Sequence, residues 1–220
     1  MCVNYITVSR QICFDFFRTP LETGEEWRDE IYQDYAAPFI IREHGARVAR
    51  LGSYGFIPQR RMPPGQRLTT MNARAETVGQ LRTYKQAWAA SQRCLVPCMA
   101  VFEPNWEQSQ HVRWAIEMAD QAPFAVAGLW RGWEEPDGAL SHSFTQLTVN
   151  ADDHPVMRRF HKPGDEKRSV AIVRPQDYDD WLACTDPDLA RGMLQLYPAE
   201  LLHARSAPRP STKKQAELFE

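Results

Sequence analysis

The sequence predicts an α+β fold, and three observations predict it. Apolar residues recur at helical spacing in some segments, as Leu81, Tyr84 and Trp88 do, whereas runs such as 94–102 are short and rich in Val and Leu. The two kinds of segment interleave without the regular strand–helix–strand rhythm of a parallel sheet. The chain has 220 residues, 43% of them hydrophobic and 11% aromatic, enough for one compact core and too rich for a disordered chain. The expected architecture is a single domain with a central, mostly antiparallel sheet or partial β-barrel flanked by helices. That domain is placed at 1–206, with a Pro-, Ser- and Lys-rich flexible tail at 207–220.

Element by element, Val78 to Gln92 reads as an amphipathic helix. Cys94 to Phe102 reads as one buried strand, and Phe124 to Trp130 as another. Phe144 to Val149 alternates only partially, with Thr145, Gln146 and Thr148 between apolar residues, yet also reads as a strand. Ser169 to Val173 is a further strand. Pro175 suits a first helical position, so a helix is expected from there through Trp181. Another is expected from Asp186 to Leu196. The seven tryptophans are expected mostly in the core.

Composition narrows the setting. No stretch approaches the roughly 18 apolar residues that a membrane-spanning helix needs. Met1-Cys2-Val3-Asn4-Tyr5 lacks a basic leader before an apolar run, so no signal peptide is expected and the cytoplasm is the expected compartment. Five scattered cysteines suit reduced thiols better than a disulfide framework. Cys94 and Cys98 have ligand-like spacing, but no second pair follows, so they read as small buried hydrophobes and no metal or other cofactor is expected. A net charge of −2 gives no global pull toward nucleic acid, which leaves local patches. Arg60, Arg61, Arg67 and Arg74 form one basic run and Arg158-Arg159-Phe160-His161-Lys162 another, while 22–34 is acidic. Each run taken singly reads as a solvated face.

The chemistry begins at Cys2. Removal of Met1 leaves an α-amine and a thiol on adjacent carbons. Such an amine has a pKa near 7.7–8.0 against about 10.4 for lysine, so far more of it is unprotonated at neutral pH. It can condense with an aldehyde to a Schiff base, and the thiol can then close a five-membered thiazolidine ring. Glu103 ends a buried apolar run, where a carboxylate is suited to general acid or base work; otherwise it is a strand-end residue turned to solvent. Asn72 alone reads as a turn or cap residue. His161 alone reads as a surface histidine beside arginines, though it titrates near neutrality.

Taken together these segments match a family pattern. Cys2, Tyr54-Gly55-Phe56-Ile57-Pro58, Asn72-Ala73-Arg74-Ala75-Glu76-Thr77, Arg93-Cys94-Leu95-Val96-Pro97 with Glu103, Ala127-Gly128-Leu129-Trp130 and the stretch around His161 come in order across most of the chain. The chain resembles the SOS response-associated peptidase (SRAP) family, whose members protect abasic sites in single-stranded DNA by crosslinking to them. The resemblance implies that processed Cys2 is the nucleophile. It implies that Asn72 orients the Cys2 terminus, that Glu103 shuttles protons, and that His161 assists at the sugar or its flanking phosphate. Arg74 is implied to hold the DNA backbone; Arg60, Arg61 and Arg67, with Tyr54 as a stacking aromatic, complete the expected DNA-binding set. The expected partner is single-stranded DNA containing abasic sites, with the protein a monomer that engages no membrane. Removal of Met1 is expected from the protein itself or from an ordinary aminopeptidase.

Several positions depart from the family pattern. Val3-Asn4 stand where Gly-Arg usually follows the cysteine, so a basic group near the nucleophile is lost. Pro104-Asn105 separate Glu103 from Trp106, where the family tends to have tryptophan directly after the glutamate. The Arg-Met-Pro expected after the histidine appears as Arg168-Ser169-Val170, past Lys162-Pro163-Gly164-Asp165-Glu166-Lys167. Two rival readings remain at this level. One is a cysteine peptidase or amidohydrolase using Cys2 with His161 as base. The other is a non-catalytic single-strand binder using the arginines with Tyr54 or Phe56.

Overall fold

The computed structural model describes residues 4–21, 24–108 and 110–209. Thirteen strands form two sheets. In chain order they are β1 (Tyr5–Ile6), β2 (Glu30–Ile31), β3 (Ala36–Glu43), β4 (Ala46–Tyr54), β5 (Asn72–Arg74), β6 (Arg93–Cys98) and β7 (Ala100–Asn105). There follow β8 (Val112–Met118), β9 (Phe124–Glu134), β10 (Leu140–Asn150), β11 (Arg168–Val170), β12 (Ile172–Val173) and β13 (Leu202–Ser206). The helices are short: α1 (Arg10–Asp15), α2 (Lys85–Ala89), α3 (Tyr178–Ala183) and α4 (Pro187–Met193). No helix among the described residues is long and apolar enough to cross a membrane.

The larger sheet closes on itself. β10, β4, β3, β6 and β9 are neighbours in that order, and β9 pairs β10 again, making a five-stranded barrel. All its pairings are antiparallel except β10 with β4. β5 runs parallel to β10, with Asn72 opposite Gln146 and Arg74 opposite Thr148. The smaller sheet is antiparallel in the order β13-β8-β7-β1-β2. The α+β expectation with a barrel at its centre is what the chain adopts.

Closure depends on Gly128. A Cβ there would sit 2.5 Å from the Thr145 carbonyl oxygen and 2.7 Å from Cys94 Sγ, so β6, β9 and β10 can meet only around a glycine. Two cores result. Phe17, Trp88, Leu95, Leu129 and Trp181 pack in one, under the helices. Phe39, Tyr54, Cys94, Val96 and Phe144 pack in the other with Tyr5 and Val101 of the second sheet. Strand β6 therefore buries both faces, Leu95 on one side and Cys94, Val96 and Cys98 on the other. Strand β10 does the same, which explains its partial alternation: Ser143, Thr145, Gln146 and Thr148 are all buried. Their polar atoms are met locally, as where Ser143 donates to the Phe56 carbonyl (2.8 Å) and Tyr54 to Gln146 Oε1 (3.0 Å).

Three expectations are corrected. The single strand over 94–102 is two strands in different sheets. The chain leaves the barrel at Cys98 and enters the second sheet at Ala100, and the Met99 N–H bonds the Ile6 carbonyl at the crossing. The helix over 78–92 shrinks to α2, preceded by separate turns. Gly79 is a poor helix former and touches the Trp88 ring, and Arg191 holds the Ala75 carbonyl, so the segment follows β10 and α4 instead of its own periodicity. Of the seven tryptophans only Trp88 and Trp181 are buried; the other five are half-buried, each in a ring contact with arginine or histidine. The remaining strands and helices lie where they were expected, except that the strand over 169–173 is two, β11 on β10 and β12 on β9, that α3 follows a 3-10 turn at Pro175–Asp177 and that α4 ends at Met193. Asp186 caps α4 by accepting from the Asp188 and Leu189 amides. Residues 210–220 of the expected tail lie outside the described residues.

Candidate functional site

Strand β7 brings Glu103 inward. Val101, Phe102, Glu103 and Asn105 are all buried, because β7 is covered on one edge by β1 and on the other by β8. Glu103 is 2% exposed, so the solvent-facing strand end that its position alone suggests is not what forms. Its Oε2 lies 3.1 Å from His161 Nε2. His161 is 7% exposed, again not the surface residue that a lone histidine among arginines suggests.

The backbone fixes that histidine. Phe160 bridges to Asn105 at the end of β7, and the His161 N–H donates to the Pro104 carbonyl at 3.0 Å. Its φ of +65° is left-handed, a conformation that a non-glycine residue holds only when its surroundings over-determine it. The segment after it turns at Gly164 (φ +85°), and Lys167 Nζ spans back to the carbonyls of Lys162 (2.9 Å) and His161 (3.3 Å). The loop thus closes on itself, and the Arg168 N–H reaches His161 Nδ1 at 3.5 Å. With Nδ1 turned to that amide, Nε2 is the ring nitrogen left facing Glu103. The displaced arginine of the motif is therefore restored in space beside the histidine.

Asn72 and Arg74 lie on β5, on the far side of the β10 ladder. Asn72 is buried, and its carbonyl accepts from the Tyr84 hydroxyl at 3.3 Å. Arg74 pairs with Glu166 at 2.6 Å. Arg168 is buried and bonds both Glu76 oxygens at 2.9 Å, Glu166 at 2.7 Å and the Thr148 carbonyl at 2.7 Å. Arg74 is thus the member of the first basic run that is linked to the loop following the second.

The other basic residues go elsewhere. Arg60 and Arg61 sit on a 3-10 turn after β4 and both hold Glu135 at the tip of the β9–β10 hairpin, at 2.5 and 2.7 Å. Their guanidinium groups keep that half-buried carboxyl well below the usual carboxylate range. Arg67 is exposed in the segment after that turn. Tyr54 is corrected outright: it is wholly buried, 5.1 Å from Tyr5 and 5.6 Å from Phe144 between ring centroids, so it has no face to offer a base. Phe56, 1% exposed, is excluded on the same ground.

Cys2 lies outside the described residues. The first residue described, Asn4, is buried and donates to Glu30, which also accepts from Arg113. A cleft of about 520 Å³ is lined by Asn4, Phe102, Glu103, His111, Arg113 and Arg209. Arg113 was not picked out by sequence reasoning; it supplies a basic group beside position 4, where the arginine of the family pattern is missing. A second cleft, about 670 Å³, opens onto His161 between Trp106, Arg158, Arg159 and Lys167. A groove of about 700 Å³ along β4 is larger, but of the expected site residues it holds only Arg60, and its Arg47, Arg50 and Arg60 are already paired with Asp179, Glu43 and Glu135.

The four described cysteines, Cys13, Cys94, Cys98 and Cys184, are buried, as read from sequence for Cys94 and Cys98. Burial pushes Cys13 up to about 11 and Cys94 well above its ordinary value, so neither presents a thiolate near neutral pH. Among the described residues no group of histidine, cysteine or carboxylate side chains could hold a metal ion.

Comparison with known proteins is consistent along the chain. The family described as SOS response associated peptidase (SRAP) matches residues 1–209. Abasic site processing protein YoqW of Bacillus subtilis is 27% identical over 160 residues, covering 70% of this chain and 68% of that protein. Abasic site processing protein YobE of the same organism is 26% identical over 160 residues, covering 70% of this chain and 69% of its own length. A crystal structure of a protein from Bordetella bronchiseptica superposes with a TM-score of 0.83 at 34% identity, covering 94% of this chain and all of that one. Another, from Bacteroides thetaiotaomicron, shares the fold at 17% identity with a TM-score of 0.72, covering 93% of this chain and 91% of that one.

Proposed function

The chain belongs to the SOS response-associated peptidase family, and from that premise we propose that it captures abasic sites in single-stranded DNA covalently through Cys2. The observation that carries this reading is buried Glu103, which lies on the wall of the cleft that also holds Asn4 and 3.1 Å from His161, itself open to the second cleft. Support also comes from the relatives named as abasic site processing proteins.

The steps balance as a condensation. Loss of Met1, by the protein itself or by an aminopeptidase, frees the Cys2 amine. The closed abasic sugar opens to its aldehyde as the ring C–O bond breaks, the ring oxygen gaining a proton and the anomeric hydroxyl losing one. The amine adds to the aldehyde carbon, and the hydroxyl of that adduct leaves as water once protonated. The Cys2 sulfur then adds to the resulting imine carbon, and its proton moves to the ring nitrogen. One water is lost overall. Each of the first two departures needs an acid that later acts as base, and Glu103 has that role. His161 Nε2–H steadies the Glu103 carboxylate while its other nitrogen is fixed by the Arg168 amide. Asn72 holds the Cys2 terminus. Arg74 and the basic cleft beside His161 hold phosphates, which gives affinity without sequence preference. The protein acts as a monomer in the cytoplasm.

Intact mass spectrometry after incubation with a single-stranded oligonucleotide carrying one abasic site tests the reading. The expected product is the protein without Met1 plus the oligonucleotide less one water. It is absent with Cys2→Ala and with a strand whose abasic sugar cannot open. A Cys2→Ala adduct of equal yield, or no adduct from a protein that has lost Met1, contradicts the reading.

A further inference from the structure

The loop inserted between His161 and Arg168 delivers one side chain to a place where the proposed reaction needs an anion. Glu166 Oε2 lies 2.6 Å from Arg74 Nη1, while its other oxygen is held by Arg168 at 2.7 Å and by the Asn150 amide at 3.1 Å. Arg74 is half exposed, with a side-chain accessibility of 49%, whereas the Arg168 side chain is at 3%. The four groups Arg74, Arg168, Glu76 and Glu166 sum to zero charge, so this part of the surface has no net attraction for a phosphate while the loop is in place.

We infer that Glu166 is a phosphate surrogate: it occupies Arg74 in the free protein and must be displaced by a backbone phosphate of the bound strand. The inference rests on the reading of Arg74 as a DNA contact, and it deepens that reading into a screen on the substrate. Displacement is feasible because Glu166 keeps Arg168 and Asn150 when it leaves Arg74, so its carboxylate is not left without partners. Arg74 exchanges one oxyanion for another with similar geometry. A small free aldehyde brings no such anion and leaves the pair closed. A strand anchored at several phosphates places one against Arg74 at high effective concentration. The screen therefore selects aldehydes carried on a phosphodiester backbone.

The test is a double-mutant cycle on binding, read with an intact oligothymidylate that has no abasic site, so the capture chemistry plays no part. The four proteins are wild type, Glu166→Gln, Arg74→Gln and the double variant, followed by fluorescence anisotropy across salt. Glutamine keeps an acceptor for Arg168, and thermal unfolding checks that each variant folds. One phosphate contact on a single strand changes the slope of log K against log salt by about 0.7, which is about eightfold in affinity at 50 mM salt. Glu166→Gln is expected to tighten binding by up to about that factor and steepen the slope, and the double variant is expected to show neither effect. Equal tightening with and without Arg74 would overturn the screen, since the gain would then be a general charge effect. No tightening in Glu166→Gln would overturn it as well. No binding of the intact strand by any of the four proteins would sink the reading of Arg74 as a DNA contact, and the screen with it. Failure of abasic-site capture alone, with the cycle intact, would instead locate the fault at Cys2.

Discussion

Two arginine–carboxylate clusters in this molecule look alike in sequence and differ in kind. Arg60 and Arg61 hold Glu135 at the tip of a hairpin, where the Arg60 side chain is 56% exposed. Arg168 holds Glu76 and Glu166 from inside the domain, at 3%. The first cluster competes with water for every contact, and such pairs contribute little. The second has traded the hydration of a guanidinium for four fixed acceptors, and its loss would leave buried polar groups unmet. Position relative to the barrel decides this, since Arg168 follows the loop that seats His161, whereas Arg60 and Arg61 cap a hairpin distant in sequence from Glu103.

The largest expected effect that separates the clusters is on folding stability. Arg168→Met is expected to cost about 2–3 kcal/mol, below the 3–5 of a wholly buried pair because Glu76 and Glu166 can rehydrate. For a domain of this size that lowers the thermal midpoint by roughly 5–10 °C in a calorimetric scan. It should also slow capture, because the Arg168 guanidinium anchors the residue whose backbone N–H reaches His161. A midpoint within a degree of wild type would place Arg168 in the same class as Arg60.

A smaller effect appears in acid. Arg159 and the Asn105 amide hold the Glu107 carboxyl down at about 2, against an ordinary 4.5. The folded form then binds a proton less readily than the unfolded form. The contribution is complete above about 4.5 and is lost as pH falls from there toward 2. Glu107→Gln should therefore lower stability slightly at neutral pH and leave it unchanged near pH 2, so that the acid limb flattens, measured as chemical unfolding midpoints at a series of pH values. Least of all is expected from Glu135→Gln, which removes a half-buried hairpin carboxylate paired with the exposed Arg60. Its thermal midpoint should match wild type, and a clear fall would show that the exposed cluster is more than a surface pairing.

How much of this was legible follows the same division. The Asn72–Thr77 and Arg93–Pro97 blocks, with Glu103 and His161, could be read from residue order, because they form the pattern of the family that matches residues 1–209. Their burial could not, since it arises where β7 crosses from the barrel to the second sheet, and periodicity within 94–102 is silent on that crossing. The β3–β4 hairpin was missed although His44-Gly45, both with positive φ, stand between two apolar runs as a two-residue turn requires. The helix over 78–92 was overread because Leu81, Tyr84 and Trp88 have helical spacing, yet Leu81 is exposed and Gly79 interrupts the turn. Tyr54 was misjudged as a stacking residue because an aromatic beside a glycine looks the same on a rim as in a core. Arg113 gave no local signal at all; only the packing of β8 against β7 brings it beside Asn4 and Glu30.

The central claim is that Glu103, steadied by His161, moves the protons of the capture reaction. Its most direct test is the single-turnover rate of adduct formation by Glu103→Gln on a single-stranded abasic oligonucleotide at saturating protein. Loss of a general acid–base group predicts a fall of about 10²-fold or more in that rate, with the residual product still dependent on Cys2. A rate equal to wild type, from a folded protein that has lost Met1, would contradict the account.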